Sequence, residues 1–217
     1  MRWLRIALVL FPLVLTAAAF AASVKLEPVG PLSDAAVPVA VRDALQPAGN
    51  RVSIGDQAYC DIWLAKTVAA GAKNPDPGAA YPQLSPQTFV GVISFAAPVR
   101  DFRGHAVKPG IYTMRYETHP NDGNHLGVSP NPDFFLLSPP ADDPDPAAQL
   151  TFDQLVALSK KASGINHPSV FTLLNADPGP QPKVFQNDDG YYVFASKLKT
   201  AAGEVPFALV VKGETQE

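Results

Sequence analysis

His119-Pro120-Asn121-Asp122-Gly123-Asn124-His125 is the densest polar segment of the chain. If Asn121-Asp122-Gly123 turns the backbone, His119 and His125 stand the same distance on either side of Asp122 and face each other across a hairpin mouth. Two imidazoles and a carboxylate at short range are a donor set for zinc or copper, because such ions take neutral ring nitrogens and carboxylate oxygens. His105 and His167, both expected in loops, are the further ligands on offer. An Asn/Asp/Gly/Pro stretch is also what an ordinary wet turn is made of, and a two-His spacing lacks the specificity of established zinc signatures. A blue-copper centre is disfavoured further, since its Cys-His-Met run near the C-terminus is missing and Cys60 and Met114 stand far apart.

Asp142, Asp143 and Asp145 offer oxygen ligands of the kind calcium takes. Pro144 and Pro146 interrupt the EF-hand spacing and no Glu closes the loop, so a solvated linker is the expectation. Asp188 and Asp189 read as turn formers. The single cysteine, Cys60, lies in phase with Ile62 and Leu64, which predicts a buried, inert thiol. Trp63 alternates opposite those residues, so it either faces outward or enters a second core layer. G-x-S-x-G, H-E-x-x-H, phosphate-loop and dinucleotide signatures are all missing.

The elements that must position these groups are mostly strands. Period-two patterning predicts strands over 51–54 and 59–66 around a Gly55-Asp56 turn. Residues 88–95 are apolar on both alternating sets, as in a strand buried on both faces. In 111–117, Tyr112, Met114 and Tyr116 point one way and Thr113, Arg115 and Glu117 the other. Further strands are expected over 133–137, 169–174, 184–185, 191–198 and 205–211, with Asn187-Asp188-Asp189-Gly190 as a hairpin turn. One helix is well marked. Thr151 and Gln154 have capping-box spacing, Leu150 and Leu155 suit a hydrophobic staple, Lys160 and Lys161 fall in the last turn, and Gly164 ends it. A shorter helix is expected over 39–45. Short strands, many turns and one inserted helix predict a mainly β domain: a β-sandwich, jelly-roll or immunoglobulin-like, with a β-barrel as the alternative.

Val99-Arg100-Asp101-Phe102-Arg103-Gly104 followed by Val107-Lys108-Pro109-Gly110-Ile111-Tyr112-Thr113-Met114 resembles a signature of secreted bacterial β-sandwich proteins of unknown function. In those proteins a strand and a short Gly turn precede a (L/V)-P-A-G-T-Y-(S/T)-L element, which this chain matches at Val107, Gly110, Tyr112 and Thr113 with the phase kept. The likeness covers about a tenth of the chain. It implies fold and export, and carries no catalytic residue.

Export is also written in the first residues. Arg2 and Arg5 make a basic start, Ile6 to Leu15 is apolar apart from Pro12, and Ala19-Phe20-Ala21 fits a signal-peptidase site. The apolar run is short of the roughly 20 residues that span a membrane, and no Cys follows it for lipidation. Residues 1–21 are therefore read as a signal peptide, 22–50 as a Pro/Ala-rich segment and 51–217 as the β domain. Of the 17 Lys and Arg, 15 remain once Arg2 and Arg5 leave, against 20 Asp and Glu, so the exported chain carries −5. An acidic chain without a basic block is a poor partner for nucleic acid.

The expectation is a non-enzymatic binding or accessory module of the bacterial periplasm or exterior. Its partner would be a small molecule, a glycan or an envelope protein. The alternatives are an exported metal-assisted hydrolase built on His119, Asp122 and His125, and a structural subunit of an envelope assembly.

Overall fold

A computed structural model describes residues 22–69, 76–120, 125 and 127–215. The proposed signal peptide, residues 70–75 and Asp122 lie outside the described residues.

The chain is mainly β. Ten strands form one antiparallel sheet: β1 (Val24–Val29), β2 (Gly49–Ile54), β3 (Gln57–Leu64), β4 (Phe89–Phe95), β7 (Gly110–Thr118), β8 (Asp133–Ser138), β9 (Val170–Leu174), β12 (Gly203–Lys212), β11 (Tyr192–Thr200) and β10 (Lys183–Gln186), in that spatial order. A separate hairpin, β5 (Val99–Arg100) and β6 (Ala106–Val107), carries the Asp101–Gly104 turn. Helix α1 (Val39–Ala44) follows β1, and α2 (Phe152–Ser163) lies between β8 and β9.

Here the architecture departs from the sandwich expected from the strand pattern. The sheet is nearly closed into a barrel, the arrangement held as the alternative, because β9 joins what would have been two sheets. Its first three residues pair with β8 (Phe135 opposite Phe171) and its last two with β12 (Leu209 opposite Leu173). A strand that changes neighbours along its length turns a corner between sheets. At the other seam β1 and β10 lie against each other without a hydrogen-bonded ladder. Alternation of short strands cannot distinguish these outcomes, since both need one apolar face per strand.

The main core takes Cys60, Ile62, Leu64, Phe89, Ile93, Phe95, Tyr112, Met114, Tyr116, Phe207 and Leu209, as the period-two phases predict. Phe95, Phe171 and Tyr112 interlock there, with Phe95 and Phe171 stacked at 5.7 Å. Trp63 is buried too, its indole N–H donating to Gly30 O at 2.8 Å, so it offers no exposed platform. That bond ties residue 30, just past β1, to the sheet, and Val41 of α1 joins the same core. Gly91 marks a close approach. With φ +153° at a bulge of β4, a Cβ there would stand 2.3 Å from Trp63 O.

The opposite faces of β7 and β8 are covered as well. Arg115 pairs with Leu136 and Glu117 with Phe134 in the ladder, placing all four on the outside of the barrel. α2 lies over Phe134, Leu136 and Val170 through Leu155, with Leu150 and Val156 alongside. Its Thr151 Oγ1 accepts from Gln154 N and the Gln154 side chain accepts from Thr151 N, completing the capping box, and Gly164 closes the helix in the left-handed conformation. The 139–149 segment straps Arg115. The Asp143 carboxylate and the carbonyls of Gln87, Asp145 and Ala148 all accept from its guanidinium. The expectation of a solvated acidic linker is thus corrected at Asp143, which is buried because a buried guanidinium requires a counter-charge. Asp142 at the surface pairs with Lys161.

Candidate functional site

The described core side chains pack together inside the barrel, and two hollows bordered by histidines lie on its outer face. All four histidines of the chain gather on the outer face next to α2, in two ring pairs.

The first pair closes the β7–β8 connection. His119 follows the end of β7, held by His119 N to Pro132 O at 3.0 Å. Its Nε2 lies 3.0 Å from Ser129 Oγ, and its ring rests on Phe134 at 4.7 Å. The His125 ring stacks on that of His119 at 5.3 Å and 15°. The turn read between them falls on residues 121–123, which lie outside the described residues. Asp122, the carboxylate expected between them, lies outside the described residues.

The second pair depends on Asp101. This fully buried residue sits in the β5–β6 turn and docks it against β9. Its Oδ1 accepts from Arg103 N at 3.0 Å and His105 N at 2.8 Å, its Oδ2 accepts from Val170 N at 3.3 Å, and Phe102 N donates to Val170 O at 2.9 Å. His105 is thereby carried to His167, three residues before β9, and the two rings lie 4.7 Å apart. Ser163 Oγ donates to His167 O at 2.5 Å, and Ser159 Oγ accepts from Ser169 N at 2.9 Å, fixing this stretch to α2. One donor atom from each of Asp101, His105 and His167 lies within 4.8 Å of the others.

Electrostatics follow from burial. It pushes the Asp101 carboxyl up, against the backbone N–H groups and the His105 ring that favour its charged form. Burial likewise pulls His167 down, outweighing the Pro168 carbonyl that accepts from its Nδ1 at 2.8 Å. A ring donating from Nδ1 in its neutral form keeps its lone pair on Nε2.

Between the pairs lies a pit of about 50 Å³, lined by Phe102, Phe134, Leu136, Phe152, Val156 and Val170, with His119, His125 and His167 at its rim. His119, His125 and Ser129 also border an open cleft of about 370 Å³ with Asp76, Gly78 and Asn131. The two hollows thus share one wall at His119 and His125, with the apolar pit on one side and a cleft of mixed proline and polar lining on the other.

Sequence reasoning named His105 and His167 only as spare ligands and read Asp101 as part of a turn. The Asx pattern of Asp101 with Arg103 and His105 was the available local signal; its meeting with His167 depends on the docking of the hairpin on β9. No protein-family model matches the chain, and neither a curated protein nor a solved structure does.

Proposed function

We propose that this protein is an exported, non-enzymatic binding module, and that it takes a small molecule with an apolar head and a polar body at the joined pit and cleft. The observation carrying this reading is one apolar hollow with His119, His125 and His167 at its rim, the His105 ring lying beside that of His167. Size agrees. The cleft is at the lower end of the roughly 300–1,000 Å³ typical of small-molecule sites, and the pit accepts only the tip of a ligand. The chemistry agrees as well: aromatic and aliphatic side chains take the head, while Ser129, Asn131 and the imidazoles offer hydrogen bonds to the body. Export rests on the basic, apolar and small-residue order of residues 1–21 and on the turn-and-strand resemblance at 99–114.

Two measurements test the reading. Methyl NMR of the protein titrated with benzoate, phenol and hexanoate should move the signals of Leu136, Val156 and Val170 ahead of all others. Perturbation on another face, or none by any probe, would overturn the site. N-terminal sequencing of exported protein should begin near Ala22, and an intact Met1 in washed membranes would overturn export.

A further inference from the structure

We infer that Asp101, His105 and His167 form a binding site for a single divalent transition-metal ion of the zinc class, separate from the His119–His125 pair. This assignment stands on the three residues alone and does not depend on what fills the pit.

The Asp101 carboxylate is the fixed point. A carboxylate has about four acceptor positions. Backbone N–H groups of Arg103, His105 and Val170 take three of them, two on Oδ1 and one on Oδ2. The position left over is on Oδ2, the oxygen 3.4 Å from His105 Nδ1.

His105 Nδ1 supplies the second observation. It is buried and makes no hydrogen bond, although Asp101 Oδ2 is near, because the two are out of line. A buried ring nitrogen without a hydrogen bond is costly, and an ion shared with the carboxylate satisfies both atoms.

His167 completes the set. Its Nδ1 lies against the Pro168 carbonyl, an outer contact of the type that orients ligating histidines and leaves Nε2 as the donor. Zinc bonds to nitrogen and carboxylate oxygen are about 2.0–2.2 Å long. One donor atom from each residue already lies within 4.8 Å of the others, and donors so spaced need to draw in by less than about an ångström to share such an ion. Two imidazoles and one carboxylate favour zinc or ferrous iron over calcium or magnesium, which prefer oxygen alone. The partly exposed side of His105 leaves a face open to water or to a further ligand.

The test is calorimetric titration of the metal-free protein with Zn²⁺, repeated with His105→Ala, His167→Ala and the His119→Ala, His125→Ala double variant. Wild type should take up one zinc per chain. Each of the two single variants should weaken binding by roughly tenfold or more, while the double variant stays within about twofold. Thermal melts supply a second readout. Zinc should raise the melting temperature of wild type and of the double variant, and leave those of His105→Ala and His167→Ala unmoved. Equal melting temperatures of all four proteins without metal would show that the single variants fold. If one of them does not, His105→Gln and His167→Gln replace it. Absence of zinc binding by wild type, unchanged binding by the single variants, or loss confined to the double variant would each overturn the assignment.

Discussion

Arg115 and Asp143 form a buried, two-pronged ion pair on the outside of the barrel, with Nη2 2.7 Å from Oδ1 and Nε 2.9 Å from Oδ2. Their side chains are 1% and 2% exposed. The pair ties the 139–149 strap to β7 and thereby covers the ladder that leads to Phe134 and Leu136. Removing one partner leaves a charge in a dry place, which costs far more than removing both. Asp143→Ala should destabilise by about 3–5 kcal/mol in urea denaturation. Arg115→Met with Asp143→Leu should recover part of that loss, the remainder reflecting the carbonyls of Gln87, Asp145 and Ala148 that lose their donor. A change within about half a kcal/mol for Asp143→Ala, as at a surface site, would mean that the strap is not anchored there.

Ile93 lies at the centre of β4, fully buried and paired with Ile62 and Tyr112 on its two sides. Ile93→Ala should cost about 2–5 kcal/mol, lost transfer energy plus the cavity left behind. Equilibrium urea curves for the two proteins check this directly. A change near zero would remove Ile93 from the core.

Much of this was legible in the residues. Alternation at Tyr112, Met114 and Tyr116 found the core face of β7, and Thr151 with Gln154 found the start of α2, because both signals are local. The closure of the sheet was hidden, since it turns on Phe171 and Leu173 of one strand choosing different neighbours. β1 was missed within the Pro/Ala-rich 22–50 segment, where Val24, Leu26 and Pro28 give little contrast. For the site, spacing alone suggested that His119 and His125 meet. The approach of Asp101 and His105 to His167 is long-range, set by Phe102 and Val170 pairing across the fold, and no window of sequence contains it.

Cys60 is 3% exposed, and burial pushes its thiol far up, away from the reactive thiolate. Ellman's reagent should leave the folded protein unmodified over hours and titrate one thiol at once in denaturant. Rapid reaction without denaturant would show that β3 opens, or that the packing around Cys60 is looser than the structure has it.

Glu117 is buried on the outer face of β7, where Thr118 N donates to its Oε1 and the Gln87 amide donates to its Oε2. Burial raises its carboxyl and outweighs both hydrogen bonds. The folded state therefore holds this proton more tightly than the unfolded state. The stabilising contribution is complete below the ordinary carboxylate range and is lost as pH rises through the raised folded value. Glu117→Gln keeps an acceptor for Thr118 N and, with the Gln87 amide flipped, one bond to Gln87. The variant should be more stable than wild type at neutral pH, and its stability should fall less between mildly acidic and neutral pH. Urea midpoints across that range decide the matter, and identical pH profiles would contradict the assignment.

The most direct test of the binding reading fills the pit. Val156 lies on α2 at the pit wall and is only partly buried, so Val156→Trp can occupy the hollow without entering the barrel. The quantity to measure is the dissociation constant of the benzoate, phenol or hexanoate probe that moves Leu136 most, for wild type and for Val156→Trp. The account predicts a loss of roughly tenfold or more in the variant, with a melting temperature within a few degrees of wild type. Equal affinity in the two proteins would contradict it and place the binding of such molecules away from the histidine-rimmed hollow.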